Sequence, residues 1–230
     1  MTSTTAIKDD FKDDFTSRQQ EVLEVVLQLM VDEGDGFSLA RVARAACCSK
    51  ETLYKWFGDR DGLLTATVRW QASRVHAGDY SGGPLDSDRL RSHLDNFAAN
   101  WLSVISSPTS IALNRVAVGQ VGSGKSRLGA IVLANGRMAV ADRLKPLLDA
   151  GRATGLLAFD DTEEVFRTFL GLVGRDVQIR LLLGEGPLPD NQKIAADAKR
   201  AADQFLALFG TEEGGRPNTG EAVGSGRPAH

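Results

Sequence analysis

The stretch SLARVARAACCSKETLYKWFGDRDGLL, from Ser38 to Leu64, limits the possible folds more than any other part of the chain. Ser38 and Ser49 are both favourable helix N-caps, because a seryl oxygen accepts one of the backbone N–H groups left unpaired at a helix start. Behind Ser38, the apolar residues Leu39, Val42 and Ala43 share one helical face; behind Ser49, Leu53 and Phe57 do the same, four residues apart. Ala45, Ala46, Cys47 and Cys48 put small side chains where two helices must cross closely. Gly58 stops the second helix, Asp59 caps a third, and Leu63 and Leu64 begin a new buried face. Two short helices joined by so tight a turn form a helix-turn-helix, a unit that lays its second helix in the DNA major groove.

These residues also resemble a known family. Ser38–Leu39, Val42–Ala43 with Ala46, Ser49 through Phe57, and Arg60 through Leu64 are similar to the DNA-binding signature of TetR-family regulators. That signature runs S-L-x-x-[IV]-A-x-x-A, S-x-x-x-[LI]-Y-x-x-F, [KR]-x-x-L-[LI]. One departure is Cys47–Cys48, where the family usually has glycine followed by a branched aliphatic. Lys50 and Thr52, early in the second helix, are expected at base edges. The resemblance implies phosphate contacts for Tyr54, Lys55 and Trp56. Ser38, Ser49 and Arg60, at helix N-termini, are expected to hold phosphates and set the register. For Tyr54 and Trp56 the competing reading is core packing.

Charge supports that placement through its distribution. The net charge is −3, which speaks against a general polyanion binder. Between Ser38 and Arg74, however, seven basic residues face only Glu51, Asp59 and Asp61, whereas Ile7–Gly36 is strongly acidic. Phosphate affinity depends on local cations, so the asymmetry tells more than the total.

No stretch alternates with period two, and the expected fold is all-α: a three-helix head joined to a larger helical domain. Residues 1–15 are expected to form a disordered acidic arm, with Lys8 and Lys12 set among aspartates, so minor-groove binding is not expected of it. Residues 16–78 form the head, opened by a capping box of Thr16 and Gln19 and an apolar face from Val22 to Val31. The third helix of the motif is expected to run to about Ala77, with the break at Gly78–Pro84 as the boundary. Residues 79–210 form the second domain. Its expected helices run from Leu90 to Ser107, from Pro108 to Val118, and from Arg127 to Leu148, the last kinked or shortened near Pro146. Another, capped at Asp160-x-x-Glu163, runs through Leu181. A final one, from about Asn191, carries Ile194, Ala198, Ala201, Phe205 and Leu208 along one seam. Residues 211–230 read as a disordered tail.

This second half is similar to the C-terminal domain of AefR-like TetR regulators. Leu147–Leu148 with Ala150 and Gly155, Asp160–Asp161, Phe169-x-Gly171–Leu172, Leu181–Gly184 and Phe205–Gly210 carry the likeness. It implies a domain that binds a small-molecule effector and pairs two subunits through its last two long helices. The whole then reads as a homodimeric repressor on palindromic double-stranded operator DNA, released by a small apolar ligand. Phe97, Trp101, Asn114, Phe166 and Phe169 are the expected pocket residues, since pockets mix aromatic walls with few polar groups; each aromatic is equally a core candidate.

Two motifs offer other readings. Gly119 through Ser126 satisfies G-x-x-x-x-G-K-[ST], the phosphate-binding loop of nucleotide hydrolases, and Leu156–Asp161 imitates a magnesium-holding strand. Such a loop needs a buried strand before it, inside a parallel sheet, and the chain offers no further strands. Cys47 and Cys48 allow a redox switch, through a thiol acidified by Lys50 and a helix start, or a structural role in the turn. Adjacent cysteines make no disulfide framework, no stretch approaches a membrane span, and the N-terminus does not read as a secretory signal, so a cytoplasmic protein is expected. The three histidines are solitary. No metal site, cofactor or catalytic constellation is expected.

Overall fold

The computed structural model describes residues 15–75, 80, 82–121 and 127–212, and among them every regular element is helical. The expected arm and tail lie outside these residues except at their inner ends. α1 (Ser17–Glu33) opens with the expected capping box: Thr16 Oγ1 accepts from the Gln19 N–H at 3.3 Å, and Gln19 Oε1 accepts from the Thr16 N–H at 2.9 Å. It buries Val22, Leu23, Val26, Leu27, Leu29 and Met30. After a 3-10 turn at Gly34–Gly36 come α2 (Leu39–Ala45), α3 (Lys50–Phe57) and α4 (Arg60–Ser73). Each of these three starts where its capping residue predicts. α4 stops at Ser73, short of the Ala77 expected from its apolar pattern.

The second half comprises α5 (Ser87–Ile105), α6 (Pro108–Gly119), α7 (Leu128–Val132), α8 (Met138–Ala153), α9 (Thr162–Gly174), α10 (Val177–Leu182) and α11 (Asn191–Phe209). Four expectations are corrected here. The single helix expected from Arg127 to Leu148 is interrupted by a π turn at Leu133–Arg137, and α8 then runs through Pro146 to Ala153. The interruption falls where Asn135 and Gly136 are poor helix formers and Asn135 Nδ2 bonds the Ile131 carbonyl at 3.1 Å. Pro146 is tolerated because Leu144, Leu147 and Leu148 around it are fully buried and hold the helix by packing. The cap of α9 is Asp161 rather than Asp160, with Oδ1 accepting from the Glu163 N–H at 2.7 Å. The helix expected to reach Leu181 ends at Gly174, because Arg175 turns left-handed (φ 41°) and the chain restarts as α10. On α11, Ala198, Ala201 and Phe205 are buried as the seam requires, but Leu208 is 57% exposed and Leu206 takes its place inside.

Two cores result. One joins α5, α8, α9 and α11 around Phe97, Phe166, Phe169 and Phe205, with Phe169 edge-on to Phe205 at 4.9 Å. The other is that of the head, and it also takes in Leu113, Val116 and Ala117 of α6 and Leu128 of α7. α6 thus lies under α1, and α4 packs against α1, α7 and the π turn. Arg143 of α8 donates to the Ala72 carbonyl and, at 2.8 Å, to that of Val75, closing the C-terminal end of α4. The helix that follows α3 is therefore anchored in the second half of the chain.

Candidate DNA-binding face and internal cavity

The turn between α2 and α3 is a Schellman motif. The Cys48 N–H reaches the Ala43 carbonyl at 2.9 Å, the Cys47 N–H reaches that of Arg44 at 3.3 Å, and Cys47 sits at φ 48°. Glycine is the usual occupant of that position. A Cβ in left-handed backbone costs roughly 1 kcal/mol. The carbonyls of Ala46 and Cys47 do not go unpaired, since the Arg18 guanidinium of α1 donates to both. Arg18 escaped the sequence reading because its partners are backbone atoms nearly thirty residues away. At the other end of α3, Gly58 (φ 78°) closes the helix and Asp59 Oδ1 accepts from the Gly62 N–H at 2.8 Å. A side chain at position 62 would place its Cβ 1.9 Å from the Phe57 carbonyl oxygen, so only glycine lets α3 and α4 approach this closely.

Between these two fixed ends, α3 is held on the head by Leu53, which is 2% exposed. Lys50, Tyr54 and Lys55 are exposed and Thr52 is half-buried. Trp56 is half-buried as well, packed on the head core with its ring edge-on to Phe57 at 6.1 Å. Ser38 and Ser49 are exposed caps, accepting from the N–H groups of Arg41 and Thr52. Arg60 sits over the Phe37 ring at 5.4 Å. Arg41 pairs with Glu33 and Arg74 with Glu24. Arg44, Lys50 and Lys55 form no ion pair among the described residues. Glu51, in the first turn of α3, has its carboxyl held below the usual range by its own backbone N–H and then by the Ser49 hydroxyl. The head thus presents one surface on which exposed lysines flank a tyrosine, with the backbone beneath it fixed at both ends.

The Cys48 thiol does not show the acidity a redox switch requires. Burial pushes the Cys48 thiol up, outweighing the nearby Arg18 charge that pulls it down. Cys48 packs against the head core, as a small apolar side chain does. The phosphate-loop reading fails on its flanks. α6 is a helix where a strand is needed, and Leu156–Asp161 contributes only an isolated bridge between Leu157 and Gly210. Residues 122–126 of that motif lie outside the described residues. Among the described residues, no three metal-ligating side chains come together, and no helix is long and apolar enough to cross a membrane.

A cavity of about 630 Å³ opens between α4, α5, α6, the π turn, α8 and α9. Of the expected pocket residues it is lined by Trp101 and Asn114. Phe97, Phe166 and Phe169 are instead core residues, at most 1% exposed, because aromatic rings on the inner faces of α5 and α9 are consumed by packing against α11. The wall comes from elsewhere: Val68, Gln71 and Ala72 of α4 with Val75 just beyond it, Val104 and Ile105 of α5, and Ser110 and Leu113 of α6. Gln71 is 4% exposed and donates to the Ser107 hydroxyl at 3.2 Å. One face of α4 therefore lines the cavity, while its N-terminus abuts α3.

Comparison with known proteins agrees with this architecture. Residues 92–211 match the C-terminal domain of the AefR-like transcriptional repressors. A TetR transcriptional regulator from Agrobacterium tumefaciens is 44% identical, with a TM-score of 0.75, over 86% of this chain and 97% of that one. A TetR-family regulator from Mesorhizobium loti shares the fold at 18% identity and a TM-score of 0.69, over 84% and 97% of the two chains. The flavonoid-responsive regulator FrrA does so at 24% identity and 0.61, over 85% and 98%. No curated protein sequence matches the chain. With a helix-turn-helix head on a helical domain, and a 44%-identical regulator aligned along most of its length, the chain belongs to the TetR family of transcriptional regulators.

Proposed function

We propose that this regulator is a cytoplasmic homodimeric repressor that binds a palindromic operator and is released by a small ligand with an apolar body. The observation that carries the reading is α4: one helix borders α3 at its N-terminus and the cavity along its face. A ligand that fits the cavity better in one placement of α4 shifts the head with it, and only such a difference in affinity releases DNA. On DNA, Lys50 and Thr52 face base edges, while Tyr54, Lys55 and the exposed edge of Trp56 meet phosphates. Ser38, Ser49 and Arg60 sit at helix starts where phosphates dock. Two subunits pair through α9 and α11, the last two long helices. α11 turns Ala196 and Ala207 outward, and small side chains favour close helix approach. Pairing sets two α3 helices about 34–36 Å apart, one turn of DNA.

The test is fluorescence anisotropy with DNA from the region upstream of the protein's own gene, over a salt series, alongside the mass of the free protein in solution. Nanomolar affinity that falls steeply with salt and exceeds that for scrambled DNA by roughly a thousandfold supports the reading. Sequence-blind binding to every fragment in a genome-wide selection, or a monomer at micromolar concentration, overturns it.

A further inference from the structure

We propose that the ligand of the cavity is an organic acid, an apolar body ending in a carboxylate that Arg175 holds at the mouth. The proposal rests on the cavity being the effector site and adds the chemical class. Its first support is charge. Among the described residues no aspartate or glutamate lines the cavity, whereas two arginines do, Arg167 and Arg175. Glu163 already neutralises Arg167 through a 2.8 Å contact to Nε. Arg175 has no ion pair among the described residues, and its acidic neighbour Asp176 faces Arg180 at 3.7 Å. A guanidinium at the edge of an apolar cavity favours a carboxylate over a neutral or cationic end group, since its planar fork matches both oxygens.

The second support is backbone geometry. Arg175 holds φ 41° and ψ −122° at the end of α9, a conformation that glycine adopts without strain. Gly174 stands immediately before it, so the chain keeps a long cationic side chain at the strained position and the glycine beside it. Local strain of this kind concentrates at binding sites. The third support is the wall. Trp101, Val104, Leu113 and Leu170 give apolar surface, and at Gly171 an added Cβ would meet nothing within 4 Å. Further in, Asn114 donates its amide to the Ser110 carbonyl at 2.8 Å and offers only neutral polarity. A second cavity of about 540 Å³ shares Arg175 but carries both signs of charge, with Asp197 bound by Lys193 at 2.9 Å, and so has no preference for an anion.

Decanoate, 1-decanol and decylamine, titrated into the full-length protein by calorimetry, separate the classes. Decanoate is expected to bind at least about tenfold more tightly than 1-decanol, with decylamine weakest. Arg175→Gln should remove the preference for the acid while leaving 1-decanol affinity unchanged, and Arg175→Lys should restore part of it. Gly171→Leu should abolish binding of decanoate and 1-decanol at retained operator affinity, which shows that the variant is folded. Equal affinity for acid and alcohol, an unchanged preference in Arg175→Gln, decanoate binding that survives Gly171→Leu, or no binding of any probe overturns the proposal. Arg175-dependent binding of decanoate that leaves operator affinity unaltered keeps the acid assignment and removes the effector reading.

Discussion

The exposed face of α3 takes its side chains from one run of eight residues, whereas the cavity draws its wall from α4 through α10, over more than a hundred positions from Val68 to Gln178. In the first case, caps and turn residues place each side chain, and local chemistry is enough to say which ones face outward. In the second, whether a residue lines the cavity or fills the core depends on how several helices cross. Trp101 and Phe97 lie four residues apart on α5, yet Trp101 lines the cavity and Phe97 is sealed between α9 and α11. Surfaces coded by neighbours in sequence are legible before folding; volumes enclosed by distant segments are not.

The difference is open to attack, and the largest effect belongs to α3. Replacing Lys50, Tyr54 and Lys55 together by alanine should weaken operator binding by roughly a hundredfold or more, and flatten the salt slope by about one unit for each lost lysine–phosphate contact. Anisotropy over a salt series measures both, and thermal unfolding should move little because all three side chains are exposed. Retained affinity would mean that some other surface meets DNA.

Next come the aromatic residues that the fold sorted into core and wall. Phe169→Ala should lower the unfolding free energy by about 3–5 kcal/mol, as burial of a large ring in a filled core implies. Trp101→Ala, on a partly open wall, should cost much less stability and change the affinity of bound decanoate instead. Urea titration together with calorimetry distinguishes the two; equal stability losses would erase the division between core and cavity.

The turn offers a smaller and more specific test. Arg18→Ala removes two donors from the carbonyls of Ala46 and Cys47, and operator affinity should fall about tenfold at most, with α3 less firmly aimed. Cys47→Gly relieves the left-handed backbone and should stabilise by roughly 1 kcal/mol. Combined, the two changes should recover part of the affinity that Arg18→Ala loses, as the double-mutant comparison would reveal. Full additivity would mean that Arg18 acts independently of the turn.

The smallest effect concerns the thiols. Burial raises the Cys48 pKa, so its thiolate forms at higher pH than that of an exposed cysteine, and its alkylation should lag a free thiol's throughout the neutral range. Operator affinity after peroxide should change by less than about twofold, the range expected of a neutral thiol. A large loss reversed by reductant would restore the redox reading.

Within the head, Thr16, Ser38, Ser49, Gly58 and Asp59 all act as their positions in the sequence imply, because caps and stops are contacts between residues three or four apart. Farther on, legibility falls. Asp160 and Asp161 are equivalent as capping residues in the sequence; in the structure Asp161 Oδ1 accepts from the Glu163 N–H, while the Asp160 carbonyl accepts from Arg152 at 3.2 Å. The break at Arg175 left no mark in the apolar pattern, since Val177 and Leu181 continue the spacing of Phe166, Phe169 and Val173. Pro146 gave a misleading mark, a helix breaker that buried leucines override.

The sequence by itself determined the all-α class, the helix-turn-helix and its outward-facing lysines, since periodicity and capping act over a single turn of helix. Tertiary structure alone decided that α6 completes the core of the head, that Arg143 ties α4 to α8, and that Arg175 lines a cavity begun at Val68. Those contacts join residues between roughly fifty and a hundred positions apart. Their energies depend on packing and geometry that no local pattern records.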